Sequence, residues 1–98
     1  MKIKILSAAR QDLLNGYRFY ENQAEGIGEY FIDTLFSDID SLVISAGVHP
    51  LYFNKYHRLL SQRFPYAIYY QVKEDTIRVY AVLDSRQNPE KIFKRLNS

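Results

Sequence analysis

The second half of the chain gathers the side chains best suited to chemistry: Lys55, His57, Arg58, Arg63, Tyr69, Tyr70, Arg78, Tyr80, Arg86, Lys94 and Arg95. Arginine and lysine neutralise phosphates, and tyrosine stacks on unpaired bases, so this mixture suits RNA. Two plainer roles compete with that one. The same residues can populate the solvent faces of strands, or meet an acidic peptide from a protein partner. Charge is distributed accordingly. Residues 1–51 set four basic against seven acidic side chains, a net −3. Residues 52–98 set nine against four, a net +5. A fold that separates the two halves presents one face to an anionic partner.

Other chemistries find no support in the residue pattern. His49 and His57 are separated by a proline and lack carboxylates at metal-ligand spacing. No phosphate-cradling glycine loop and no nucleophile elbow occurs. Gly26-Ile27-Gly28 opens a helix but follows another helix, so it reads as a turn. The chain has no cysteine, which removes disulfides and thiolate chemistry. We therefore expect no cofactor, no metal and no small-molecule substrate. Apolar runs are too short to cross a bilayer, and the apolar part of the N-terminus is too short for a signal peptide, so the expected location is cytoplasmic, away from membranes.

The elements that must position these residues follow from periodicity. At 98 residues, with 47% hydrophobic and 24% charged residues, the expectation is one globular domain spanning 1–98. Lys2–Leu6 alternates and reads as a short strand, with Ser7 as a candidate N-cap for the next helix. Ala9, Leu13, Tyr17 and Tyr20 form one face of that helix, which Gly16 weakens by about 1 kcal/mol relative to alanine. A second stripe, Ile27, Phe31, Leu35, Ile39, Leu42 and Ala46, predicts another helix ending near Gly47 and Pro50. So short a link between the two predicts an antiparallel helical hairpin. Beyond Pro50 the period becomes two. Tyr56–Phe64 is strand-like and Pro65 interrupts it. Tyr66, Ile68, Tyr70 and Val72 then alternate with Ala67, Tyr69, Gln71 and Lys73, and Ile77, Val79, Ala81 and Leu83 with Arg78, Tyr80 and Val82, so the two runs predict an antiparallel pair around Lys73–Thr76. Asn88 and Pro89 start a terminal helix carrying Ile92, Phe93 and Leu96. The predicted order is β-α-α-β-β-β-α. This is an α+β fold, with the hairpin packed on one face of a twisted, mainly antiparallel four-stranded sheet. Nine tyrosines and six phenylalanines are too many for so small a core. The sheet face away from the hairpin is the expected place for the surplus tyrosine and arginine.

The stretch Arg58-Leu59-Leu60-Ser61-Gln62-Arg63-Phe64-Pro65-Tyr66-Ala67-Ile68-Tyr69-Tyr70-Gln71-Val72 resembles a signature region of the RelE/ParE toxin superfamily. So does Ile77-Arg78-Val79-Tyr80-Ala81-Val82-Leu83-Asp84-Ser85-Arg86, followed by Asn88-Pro89 and a final Arg95. Ala8–Leu13 and Phe19–Gln23 are similar to the family's first helix, so the resemblance runs over nearly the whole chain. It implies the toxin half of a bacterial type II toxin–antitoxin pair, of the plasmid-stabilising, growth-inhibiting kind, with a cognate antitoxin protein as partner. RelE-like members are ribosome-dependent mRNA endonucleases, whereas ParE-like members act on DNA gyrase. Cleaving RNA needs a base, an acid and cations around the developing charge. Arg86 matches the family's later arginine. Ala67 stands where the nucleases usually carry arginine, Ile92 near a frequent tyrosine, and Asp84 where many relatives have histidine. These departures favour the ParE-like target, DNA gyrase, over ribosome-bound mRNA and an altered nuclease site. The functional candidates taken forward are Arg58, Arg63, Tyr70, Arg86 and Arg95, with no residue assigned a catalytic role.

Overall fold

The computed structural model describes residues 1–97, so the last residue of the expected domain lies outside them. The chain runs β1 (Lys2–Ile5), α1 (Ser7–Gln23), α2 (Ile27–Asp40), α3 (Leu42–Ser45), β2 (Leu51–Tyr52), β3 (Tyr56–Leu60), β4 (Tyr66–Lys73), β5 (Thr76–Asp84) and α4 (Pro89–Leu96). The sheet has five strands in the order β1-β5-β4-β3-β2. β1 joins β5 in parallel and every other pair is antiparallel. The expected α+β hairpin-on-sheet architecture is present, with one more strand than its periodicity announced. The extra strand is β2, whose two residues are too few to show a period.

The hairpin forms because both predicted stripes are real. Ala9 and Leu13 of α1 and Phe31, Leu35 and Ile39 of α2 are buried together with Leu42, Ile68, Tyr70, Ile77, Val79 and Val82. Gly16 is no incidental weakness. A methyl group there would stand 2.5 Å from the buried Phe31 ring, so the glycine lets the two helices close. Gly26 begins α2 in the left-handed region, at φ 89°. The Glu21 carboxylate accepts the backbone N–H of Gly26 (3.1 Å) and of Gly28 (2.9 Å), which satisfies helix-start donors that would otherwise lack partners. The expected serine cap on α1 is absent: Leu6 occupies the cap position and Ser7 is already helical. The second apolar stripe is also not one helix. It breaks at Ser41, whose hydroxyl donates to the Asp38 carbonyl at 2.6 Å, and resumes as the single turn α3.

The strands depart from the simple pattern in two places. β3 ends at Leu60 rather than Phe64, because the chain bends over residues 62–65, Pro65 among them. A β-bulge lies where Tyr69 pairs with Ala81 while Tyr70 pairs with Val79. Tyr80 is the additional residue, and past it the facing of β5 is reversed. Ile77 and Val79 therefore face the hairpin, whereas Ala81 and Leu83 face the opposite side. Part of that opposite face is covered and does not display its tyrosines. α4 lies on it, and Ile92 and Leu96 close over Tyr56, Ala67, Tyr69 and Ala81 as a second small core. Asn88 caps α4 as expected, its side chain accepting the Glu90 N–H at 2.8 Å, with Pro89 following. Among the described residues no helix is long and apolar enough to cross a membrane, and none of their histidine, aspartate and glutamate side chains cluster as metal ligands.

Candidate functional site

The five candidate residues do not converge. Arg58 on β3 lies over the Tyr52 ring, 4.9 Å from its centroid, near the β2 edge of the sheet. Arg63 stands in the turn after β3 and reaches the hairpin, donating to the Tyr30 hydroxyl at 2.6 Å. That hydrogen bond holds its guanidinium more firmly protonated.

Tyr70 is buried inside the hairpin-side core, so it is no exposed base-stacking ring. Its hydroxyl accepts the Gly47 N–H at 3.0 Å and meets Nδ1 of His49. The phenol oxygen has a second lone pair and its own proton left for Nδ1, so Tyr70 and His49 are joined whichever tautomer the ring takes. Burial pushes the phenol pKa up, and the contacts with Gly47 and His49 oppose that shift. His57 stacks on the Tyr70 ring, and its Nδ1 donates to the His49 carbonyl at 2.7 Å. Tyr70 thus pins the connection between α3 and β2 to the sheet.

Arg95 is likewise a structural group. Its guanidinium donates to both oxygens of Asp12, each at 2.7 Å, and so ties α4 to α1. Asp12 in turn accepts the Val82 N–H at 3.0 Å, which adds β5 to the same junction.

Arg58 and Arg63 each line a cleft, of about 400 and 380 Å³, and Arg86 lines a third. Arg86 follows the end of β5, and Asp84 fixes its direction. Nη2 donates to Oδ2 at 2.8 Å and Nε to Oδ1 at 3.1 Å, while the Arg86 backbone N–H also reaches Oδ1. The side chain nevertheless remains 66% exposed. The Arg86 cleft, about 430 Å³, is lined by Asp12, Asn15, Tyr66, Val82, Leu83, Asp84, Arg86 and Gln87. Tyr66 lends it a phenol, and Tyr20 stands beside the Tyr66 ring. Burial pushes Tyr66 up to about 12 and also raises Tyr20. The hydrogen bond from Arg86 holds the Asp84 carboxyl below its ordinary range. Every shifted group near Arg86 thus moves away from neutrality. Proton transfer works best with groups that titrate near the working pH. This set is arranged for charge presentation and hydrogen bonding.

Residue types alone did not reveal Asp12, Asn15 and Tyr66 as parts of this cleft. Asp12 and Val82 are 70 positions apart, and no local period announces their meeting. The usable signal was weak: Asp12 adjoins the buried Leu13, which places it on the flank of α1 beside the sheet.

No family model matches the chain, and no curated protein matches it. Among solved structures it superposes on a chain of the chromosomal ParDE TA system from P. aeruginosa, with a TM-score of 0.77. The match covers 84% of this chain and 92% of the other, at 19% identity. The fold is ParE-like. At that identity the likeness concerns the arrangement of hairpin and sheet, while the side chains of the Arg86 cleft have to be read from this molecule.

Proposed function

We propose that this protein is the toxin of a ParE-like type II toxin–antitoxin pair, a cytoplasmic, growth-inhibiting protein that acts on a protein target, with DNA gyrase as the expected one. The observation that carries the reading is the seat of α4 on the sheet. In the nuclease alternative, the sheet face away from the hairpin has to offer acid, base and cations to an RNA backbone. Here Ile92 and Leu96 cover its part around Tyr56, Tyr69 and Ala81, Ala67 and Ala81 lie completely buried beneath them, and the Tyr56 hydroxyl is spent on the Leu96 carbonyl at 2.9 Å. Arg86 at the rim is suited to holding a carboxylate or phosphate of a macromolecular target.

An antitoxin partner fits a separate surface. α1 and α2 leave an apolar groove of about 360 Å³ lined by Arg10, Leu13, Leu14, Tyr17, Ile32 and Phe36, with Leu14 and Phe36 substantially exposed. An amphipathic antitoxin helix would bury those side chains, as helix-in-groove partners do.

Induced expression with viability scoring tests the toxin role. Supercoiling assays with purified gyrase, run beside primer extension on ribosome-bound mRNA, then identify the target. Growth arrest with impaired gyrase and intact mRNA is expected. Ribosome-dependent cleavage would replace the proposal with the nuclease reading. The protein encoded by the neighbouring gene should co-purify and restore growth.

A further inference from the structure

The sheet face carrying α4 has a second region beyond that helix, where three strands and the turn before β3 bring cations together. Ile3 and Ile5 pack into the hairpin-side core, so Lys2 and Lys4 between them point the other way. Arg78, between Ile77 and Val79, does the same, as do Gln71 and Lys73 on either side of Val72. Pairing then aligns them across the sheet. Lys4 lies beside Arg78 and Arg78 beside Gln71, while Lys2 lies beside Thr76 and Thr76 beside Lys73. Gln71 donates its side-chain amide to the Lys55 carbonyl at 3.1 Å, which fixes Lys55 at the end of the row. There a cleft of about 290 Å³ opens among Lys55, His57, Gln71, Val72 and Lys73.

Among the described residues no ion pair neutralises the row, and the buried Nε of Arg78 has no hydrogen-bond partner. The nearby carboxylates are Glu74 and Asp75 in the β4–β5 turn. Asp84, the single carboxylate within the strands, is held by Arg86 at the far end of β5. The acidic residues of the N-terminal half lie in α1 and α2, except Glu25 between them, and those helices cover the other face.

We propose that this row is a sequence-independent binding site for the phosphodiester backbone of a nucleic acid, separate from the Arg86 cleft and independent of which target the protein acts on. The two strand spacings from β1 to β4 span about 10 Å, with Lys55 beyond them, and each strand of a duplex carries one phosphate per about 3.4 Å of helix axis. Several phosphates therefore face the row at once. An acidic peptide fits less well, because tight peptide docking relies on buried apolar or aromatic anchors, and between these cations lie only Gln71 and Thr76. Tyr56 is buried and Tyr80 half-buried against it, so no open ring offers a base-stacking platform and the contacts are to the backbone.

The test is fluorescence anisotropy with labelled duplex DNA at salt concentrations between about 50 and 200 mM. Binding should weaken linearly in log–log form as salt rises. Lys4→Gln with Lys73→Gln should flatten the slope by about two, one per lysine removed, and adding Arg78→Gln should abolish binding at the upper salt. Both lysines are exposed, so the double variant should melt like the parent protein, and it decides the matter if the Arg78 variant fails to fold. Lys91→Gln with Lys94→Gln, on α4, should leave slope and affinity unchanged. The proposal is overturned if DNA does not bind at the lowest salt. It is also overturned if the two double variants lose binding equally, or if a labelled oligoglutamate peptide binds through the row and DNA does not.

Discussion

Arg95 and Asp12, 83 positions apart, meet through two parallel hydrogen bonds of 2.7 Å that join the last helix to the first. The arginine side chain is 27% exposed and the aspartate 10%, so the pair is shielded from most screening by solvent. Asp12 also holds the Val82 N–H. Arg95→Ala therefore leaves a partly buried carboxylate with one backbone partner, and a loss of about 1–3 kcal/mol is expected. Thermal denaturation should show a lowered melting temperature, and any toxicity should fall in parallel with the folded fraction. Arg95→Lys should recover only part of the loss, since an ammonium cannot reproduce the two-pronged geometry.

Gly16 yields a prediction opposite in sign to helix propensity. Alanine in an exposed helix interior gains about 1 kcal/mol over glycine. Here the new methyl group meets two carbons of the Phe31 ring at 2.5 Å, and that ring is completely buried. Overpacking of this kind costs about 1–3 kcal/mol, so Gly16→Ala should be destabilising on balance. Urea denaturation of the two proteins measures it, and a more stable variant would mean the hairpin opens freely.

How much of this was readable in advance varies from one element to another. The hairpin was legible because Phe31, Leu35 and Ile39 recur every four residues and all three are buried. The start of α4 was legible because Asn88 and Pro89 act locally. The bulge at Tyr69/Tyr70 was not. It depends on pairing with another strand, and it turns Ala81 away from the face that unbroken alternation with Val79 implied. Tyr70 shows the same limit. Its burial beneath the hairpin follows from strand facing, yet its hydroxyl partners Gly47 and His49 lie more than 20 positions away, so its chemistry looked like surface chemistry. Of the site, the family resemblance pointed to Arg86, whereas the cleft around it depends on α1 reaching the end of β5.

The link between Tyr70 and His49 makes stability depend on pH in a definite direction. Burial, followed by the nearby His57, lowers the His49 pKa from its ordinary value of 6.5. The unfolded chain therefore binds a proton at a pH where the folded protein still does not, and stability rises with pH across that window. It is fully present above about 6.5 and declines as pH falls toward the lower folded value. Protonation also makes both ring nitrogens donors, which restricts how Nδ1 meets the Tyr70 hydroxyl. Denaturation at about pH 7.5 and about pH 5.5 should show the native protein losing stability at the acid end, and His49→Gln should lose less. An equal loss in both proteins would assign the effect to other groups.

Arg86 separates function from stability, because its pairing with Asp84 is local and largely in solvent. An exposed pair of this kind contributes little to stability, so Arg86→Ala should melt within a few degrees of the native protein and still bind the proposed antitoxin. If the guanidinium engages the target, the same change should abolish growth inhibition. Asp84 offers an internal check. Arg86 depresses its pKa, so the carboxyl should titrate closer to its ordinary value once the arginine is gone, as NMR can follow. Charge reversal sharpens the test. Arg86→Glu sets a second carboxylate beside Asp84 at the mouth of a cleft that already contains Asp12, which would repel an anionic group on the target. The glutamate variant should therefore be at least as defective as the alanine variant in growth and gyrase assays. A fully toxic Arg86→Ala protein would remove this residue from the target interface and leave it as a surface partner of Asp84. Toxicity that falls only in proportion to the folded fraction would also remove it from that interface, and the two cases are distinguished by measuring melting temperature and growth on the same variants.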